Sequence, residues 1–470
     1  MAKAMLERAR GTRAVAALGT TALLVSGMVA ASPAEAGQAN TSSIIYQVRP
    51  IAINSHLGKV NPSNFPSPGE CVKADGLACY TPAILHTAYQ IPWTINGQLA
   101  GTGETVVIID AYGSPTVVSD LATFDSTFGL PAAHLNVFYP DGKPSFNPNS
   151  ANEVGWAEET SLDVQTVHSL APGATIDLVV ASSNNGNALN NAQAFAVDNH
   201  LGQVITESYG APEAAIAGGG NNLQLQQAHA IYQQAATENI SVFASSGDAG
   251  ATNGYSTANA LYPASDPYVT AAGGTDLFVK GDTNPKLSGT KAGTYASEYT
   301  WADYNSSTCP FGCQYGPFGA TGGAPSAIFT APKYQAGPMR TTSDVAFNAS
   351  VYTATMIYLG FLGAANNNFY FFGGTSEASP SWAAITADID QARGSAVGLF
   401  APKLYKLASN AATYASDFHD ITVGENNDPA GSVGFVAGKG YDLPTGLGTP
   451  IATGLLSSLA PSATYGLSMP

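Results

Sequence analysis

Gly373-Gly374-Thr375-Ser376-Glu377-Ala378-Ser379-Pro380 joins an aromatic run, Phe369 to Phe372, to a segment from about Ala378 toward Ala392 that reads as a helix. Paired glycines allow the chain to bend sharply and let another molecule approach the backbone. A helix start offers free N–H groups and the positive end of the peptide dipole, which suit a developing negative charge. A serine before a helix most often serves only as an N-cap. The whole strand-turn-helix octapeptide instead points to Ser376 as a nucleophile on a tight bend.

A nucleophilic hydroxyl needs a base. The seven histidines (His56, His86, His134, His168, His200, His229 and His419) are scattered, and none sits in a glycine-flanked setting suited to catalysis. The segment from Glu158 to Ala174 reads as a helix ending before Pro172. Glu159, Asp163, Val167 and Leu170 fall on one stripe of it, so both carboxylates face inward with two apolar side chains. Like charges at this spacing repel, and an inward pair implies a shared proton and a raised pKa for one member. A third acid, Asp248, lies in Ser245-Ser246-Gly247-Asp248-Ala249-Gly250, directly after the apolar run Ile240 to Ala244. An aspartate beside glycine is commonly a turn residue. At the C-terminal end of a parallel strand, however, it stands where the crevice of an open α/β sheet forms, and a protonated Asp248 could donate to an oxyanion.

Taken together, the Ser376 octapeptide, Glu159-x-x-x-Asp163 followed by Leu170-Ala171-Pro172-Gly173-Ala174, and Ser246-Gly247-Asp248-Ala249-Gly250 resemble the sedolisins, the serine-carboxyl peptidases. Other stretches resemble the same family: Thr81-Pro82, Leu85 and Tyr89; Ser208-Tyr209-Gly210; Gly273-Gly274-Thr275; Gly322-Gly323-Ala324-Pro325-Ser326; Tyr334-Gln335; and Ser343-Asp344-Val345-Ala346. The resemblance runs from about Tyr80 to the end. It implies a subtilisin-like fold in a single catalytic domain over 80–470, with Ser376 as nucleophile and Glu159 as general base and acid. Asp163 would orient Glu159, Asp248 would serve the oxyanion hole, and Ser208, Tyr209 and Gly210 would bind substrate. It also implies one structural Ca2+ in a loop over 420–442, held by the Asp420 and Asp442 carboxylates and the carbonyls of Ile421, Gly438 and Gly440. Calcium favours several hard oxygens, and glycines let carbonyls converge. The missing histidine then makes sense, because an ordinary histidine titrates near about 6.5 and is protonated in acid, whereas a glutamate near about 4.3 still accepts a proton.

The rest of the chain is consistent with this expectation. Apolar runs at Val106 to Ile109, Ile176 to Val180, Val204 to Thr206, Ile240 to Ala244 and Tyr268 to Ala271 alternate with helical stretches near Asn187 to Asn199 and Asn222 to Thr237. That alternation predicts a doubly wound, mostly parallel sheet flanked by helices. Lys280 to Gln314 reads as surface loop that shapes a cleft. The 470 residues are 11% charged with a formal net charge of −16, which argues against nucleic acid or an anionic membrane as partner. Lys3, Arg8, Arg10 and Arg13 precede a small apolar stretch and Ala34-Glu35-Ala36, which predicts a signal peptide over 1–36. The expected product is a secreted, extracellular monomer acting on protein or peptide substrates, with no membrane attachment after cleavage. Cys71 with Cys79, and Cys309 with Cys313, are close enough in sequence for local disulfides. Residues 37–79 read as a short N-terminal extension, where sedolisins generally carry a long prodomain. Two other readings are a histidine-based subtilase using Asp110, His168 and Ser376, and a catalytically silent binding protein on the same fold.

Overall fold

The computed structural model describes residues 43–46, 51–54, 65–280, 293–304, 309–313, 317–428, 431 and 433–470; the expected signal peptide lies outside them. In chain order the strands that frame the molecule are Ile51–Asn54 (β1), Ala78–Tyr80 (β2), Thr105–Ala111 (β3), His134–Phe138 (β4), Thr175–Ala181 (β5) and Val204–Glu207 (β6). They continue with Ser241–Ser245 (β7), Thr270–Val279 (β8), Tyr295–Thr300 (β9), Val345–Asn348 (β10), Thr353–Leu359 (β11) and Asn368–Gly373 (β12). The principal helices are Val117–Phe128 (α1), Ala151–Leu170 (α2), Gly186–Asp198 (α3), Leu223–Thr237 (α4) and Thr375–Arg393 (α5).

The eight-stranded sheet runs β9-β8-β7-β6-β3-β5-β4, with β10 also paired to β8. Every pairing in it is parallel except β8 with β9. Its central strands are apolar at successive positions because both faces are covered. Val106, Ile108, Leu178, Val204 and Phe243 pack in one cluster with Val164 and Val167 of α2 and Trp382 and Ile385 of α5. Val107, Ile109, Val179, Ile205 and Val242 point the other way, into a second cluster with Leu189 and Ala192 of α3 and Leu225 and Ala228 of α4. The two-residue period of the strands thus sorts neighbouring side chains into two cores. This is the doubly wound arrangement expected from the sequence.

A second, four-stranded sheet has the order β1-β12-β11-β2. The described residues upstream of Tyr80 belong to the same body as the rest: β1 pairs with β12, and the Cys71–Cys79 disulfide ties the helix Pro68–Asp75 to β2. Cys309 and Cys313 are likewise joined. The stretch Lys280 to Gln314 is not all loop. Tyr295–Thr300 forms β9 against β8, because its alternating Tyr299 and Glu298 side chains meet the strand edge that β8 presents there. Glu298 turns inward and is satisfied by hydroxyls, accepting from Tyr89 (2.5 Å), Thr275 (2.7 Å) and Thr449. Among the described residues no helix is long and apolar enough to cross a membrane.

Many acids are buried without a cation. Asp388 of α5 is 1% exposed with neither carboxyl oxygen hydrogen-bonded, and burial pushes its pKa well up. Burial likewise raises Asp390 to about 7, Glu298 to about 7 and Glu207 to about 8. Each shift is upward, opposite to that of a salt-bridged carboxylate. Between the ordinary carboxyl range near about 4 and these folded values, the unfolded chain has lost protons that the folded chain keeps, so stability falls as pH rises. The melting temperature should therefore be highest near pH 4 and drop steadily toward pH 8 in differential scanning calorimetry. A melting temperature that climbs toward neutrality would show that these carboxyls are ionised in the fold.

Candidate active site

The bend before Ser376 needs both glycines, for different reasons. A Cβ on Gly373 would lie 2.5 Å from the Val351 amide nitrogen and 2.7 Å from the Ala349 carbonyl oxygen. Gly374 has φ +124°, a conformation that side chains disfavour. The helix then starts at Thr375, three residues before the sequence-based expectation, so Ser376 lies in its first turn. Gly374 offers no side-chain cap. Asp248 caps instead, since its Oδ1 accepts from the Thr375 amide (2.7 Å) and from the Thr375 hydroxyl (2.8 Å). Asp248 sits just past β7, as the sequence implied, and its second oxygen, Oδ2, is buried without a partner. Burial raises its pKa to about 6 against the opposing pull of the Thr375 bonds.

α2 packs against α5 and brings its acids to Ser376. Glu159 and Asp163 are both 0% exposed, as their shared stripe predicted, although α2 reaches back to Ala151, capped by Ser150. The Ser208 hydroxyl donates to Asp163 Oδ1 at 2.7 Å and lies 3.2 Å from the Ser376 carbonyl oxygen. The Ser376 hydroxyl points at the Ser208 carbonyl, 3.4 Å away. Neither Glu159 oxygen has a well-formed hydrogen bond. Burial, then the charges of Asp163, Asp110 and Asp248, hold the Glu159 pKa well up, and the nearby Ser376 hydroxyl opposes this only in part. Asp163 is raised by burial and by Asp110, with the Ser208 bond opposing.

Asp110 is the residue that sequence reasoning placed only in the histidine alternative. It is the penultimate residue of β3, 0% exposed and near enough to raise both Glu159 and Asp163, and burial raises it to about 7 while the Thr160 hydroxyl favours the ionised form. Three mutually close carboxyls cannot all be charged in a dry site, so they share protons. Its place at a strand's C-terminal end was the available signal.

The histidine alternative fails on position. His168 Nε2 lies 2.9 Å from the Pro131 carbonyl and 3.3 Å from Asp125 Oδ1, and burial lowers its pKa to about 4. Of the residues expected to bind substrate, Ser208 touches Asp163 and Ser376, while the Tyr209 ring is fully buried, in contact with Tyr46 and Trp156. Gly210 packs where a Cβ would lie 2.3 Å from Leu261. Gly322 lies under the Asp248 turn, donating its amide to the Gly247 carbonyl (2.7 Å). Asp344 forms a buried pair with Arg340 and accepts from the Ala271 amide (2.8 Å), pinning β10 to β8. Those motifs support the site from beneath.

In the 420–442 loop, Asp420 accepts from the Gly440 amide (3.0 Å) and from the Tyr414 hydroxyl (2.9 Å). Asp442 accepts from the amides of Gly438 and Thr445, both at 2.9 Å. Burial raises Asp442 to about 6, and the charge of Asp420 adds to the rise. Among the described residues no group of three or more His, Cys, Asp or Glu side chains could hold a metal, so any ion here must rely on two carboxylates and backbone oxygens. No hydrogen bond among the described residues ends on the carbonyls of Ile421, Gly438 or Gly440.

The shared-proton cluster predicts a specific titration. Asp110→Asn removes a like charge while keeping shape, so the pKa values of Glu159 and Asp163 should fall, visible as a shift of about one unit or more in carboxyl 13C titration curves. Unchanged curves would place Asp110 outside the cluster.

No family model matches the chain. Kumamolisin of Bacillus sp. (strain MN-32) is 32% identical over 405 residues, covering 82% of this chain and 64% of kumamolisin. Sedolisin of Pseudomonas sp. (strain 101) is 30% identical over 401 residues, covering 81% of this chain and 62% of sedolisin. The chain thus spans less than two thirds of the length of these curated relatives. The solved structure of Pseudomonas sedolisin, a serine-carboxyl proteinase complexed with two molecules of pseudo-iodotyrostatin, matches with a TM-score of 0.68 at 26% identity, over 82% of this chain and 99% of that one. On this similarity in sequence and in its subtilisin-like architecture, the chain belongs to the sedolisin family.

Proposed function

We propose that the chain is a secreted, acid-acting serine-carboxyl endopeptidase that hydrolyses peptide bonds through an acyl-enzyme on Ser376. The observation that carries this reading is the meeting of Ser376 with the buried acids Glu159 and Asp163 on one side and Asp248 on the other. An ionised Glu159 takes the Ser376 proton as Oγ attacks the substrate carbonyl carbon. Asp163, held by the Ser208 hydroxyl, shares the proton that Glu159 has taken. The carbonyl oxygen becomes an oxyanion, to which the protonated Asp248 donates from Oδ2. Glu159 returns the proton to the leaving amine, and the C–N bond breaks. Water then attacks the acyl-enzyme with Glu159 again as base, releasing the carboxylic acid and restoring the serine.

The pH dependence follows from two opposite requirements. Asp248 must be protonated, and its pKa of about 6 sets the alkaline limit. One member of the Glu159 and Asp163 pair must be ionised, which sets the acid limit. Casein cleavage should therefore peak in acid and fall as pH rises through about 6. Ser376→Ala should abolish turnover, and His168→Ala should leave most of it. A maximum at neutral or alkaline pH, or a loss with His168→Ala matching that of Ser376→Ala, would overturn the carboxylate reading.

Calcium fits the 420–442 loop as a structural ion held by Asp420, Asp442 and the carbonyls of Ile421, Gly438 and Gly440. The ion would neutralise two carboxylates that now repel, and it lies in the sequence well beyond the nucleophile. A ligand specific to the fold adds about 2.7 kcal/mol at about 100 times its dissociation constant. Chelation or Asp442→Ala should lower the melting temperature at pH values above about 6, where Asp442 is ionised, and have little effect well below it. Identical melting curves with excess calcium and with chelator at pH 6.5 would remove the ion from the proposal.

A further inference from the structure

The segment Ser43-Ile44-Ile45-Tyr46 lies in the protein as a bound peptide would. Its backbone runs antiparallel to the chain that leaves β5, with Ile45 bridged to Asn185. The Gly186 amide donates to the Ile44 carbonyl at 2.7 Å, and the Tyr46 amide to the Asn184 carbonyl at 3.1 Å. The Asn184 side-chain amide donates to the Tyr46 carbonyl at 2.9 Å, and the Ile44 amide donates to Gln224 Oε1 at 2.7 Å. Side chains alternate: Ile44 is 3% and Tyr46 0% exposed, whereas Ile45 between them is 44% exposed. Main-chain bonds with pockets for alternate side chains are the pattern of peptide recognition by strand addition.

The deep position encloses an aromatic ring. The Tyr46 ring meets Tyr209 edge-on at 5.1 Å, with Trp156 on the far side of Tyr209 at 5.9 Å. Its hydroxyl is buried with no hydrogen-bond partner, and Glu207 Oε1 is also buried and unpaired. Burial together with the Glu207 and Asp266 charges keeps the phenol protonated. The floor of this pocket is the residue after Ser208, whose carbonyl receives the Ser376 hydroxyl. The rim, Asn184 to Gly186, follows the neighbouring strand end, and the Tyr112 hydroxyl just beyond β3 donates to Asn184 Oδ1 at 3.1 Å. The groove therefore opens at the C-terminal ends of β5, β3 and β6, the same end of the sheet as the carboxyl cluster.

We infer that this groove is a peptide-binding site selective for a tyrosine preceded two residues earlier by a branched apolar residue, and that the chain's own Ser43–Tyr46 fills it in competition with other peptides. The inference rests on the peptidase reading only in making the competing peptide a substrate. Backbone bonds accept any extended peptide, so selectivity must come from the phenol pocket.

The test uses the full chain carrying Ser376→Ala, so that binding is read without turnover. Fluorescent Ser-Ile-Ile-Tyr and Ser-Ile-Ile-Ala peptides are titrated by anisotropy against this protein and against the same protein with Tyr46→Ala. Emptying the pocket should tighten binding of the tyrosine peptide about ten-fold or more and leave the alanine peptide weak. Ile44→Ala, which weakens the hold of the chain's own segment while leaving the groove's lining unchanged, should give a smaller gain in the same direction and serves if Tyr46→Ala does not fold. Equal binding of the two peptides, or no gain in either variant, would make Tyr46 an ordinary core residue and overturn the inference. Selective binding by a Tyr46→Ala chain that keeps Ser376 but cleaves nothing would support the groove and sink the peptidase reading. Casein cleavage without any tyrosine preference would do the reverse.

Discussion

Like-charged carboxyls packed at the ends of parallel strands, with hydroxyls rather than cations for neighbours, are the constraint on which the rest of the structure depends. Glu159, Asp163 and Asp110 are fully buried and close enough to raise one another's pKa values, and Asp248 caps the helix that carries Ser376. Isolated charge in such surroundings is costly, so the groups keep protons instead. Ser208 and Thr375 are suited to this because a hydroxyl can donate to a carboxylate or accept from a carboxylic acid. Both Glu159 oxygens, Asp163 Oδ2 and Asp248 Oδ2 nevertheless stay without a partner, so each is open to take or to give a proton. A lysine or arginine in the same place would fix the charge and freeze the cluster in one state. A buried ion pair elsewhere, Arg340 with Asp344, pins β10 to β8 and has a structural part.

What could be read from the sequence was what local periodicity encodes. The Glu159 and Asp163 stripe was legible because one helix carries both acids, and the central strands because their apolar runs are continuous. Asp110 was harder to assign. It reaches the cluster through strand order, β6-β3-β5, which no local pattern reveals. The Tyr209 ring turned inward for a related reason: its partner, Tyr46, lies far away in the chain. β9 escaped notice because its inward residue is Glu298, whose burial depends on hydroxyls from Tyr89, Thr275 and Thr449. The early start of α5 followed from a cap supplied by Asp248, across the molecule, rather than by the residue before the helix.

The family's scattered motifs gain a common meaning from their placement. Gly322 lets the backbone pass beneath the Asp248 turn, where a Cβ would lie 1.9 Å from the Ser246 carbonyl oxygen. Gly274 admits Trp301 and Thr375, with closest approaches of 3.0 and 3.3 Å to a notional Cβ. Such positions hold the surroundings of Ser376 by shape alone. Reactivity and scaffold are thus separable in this site: the acids set protonation, and the glycines set distance.

β12 delivers the chain to Ser376, and it is hydrogen-bonded on both sides, to β11 and to β1, with Ile51 opposite Gly373. β1 belongs to the N-terminal part of the chain and runs antiparallel to β12. Tension applied upstream of Ser43 would first load the second hydrophobic core, where Ile44 and Tyr46 are packed and hydrogen-bonded, and would reach the β1–β12 ladder beside Ser376 only after that anchor gave way. The bend before Ser376 is thus mechanically tethered to β1, and the Ile44 and Tyr46 anchor shields it from a pull further upstream.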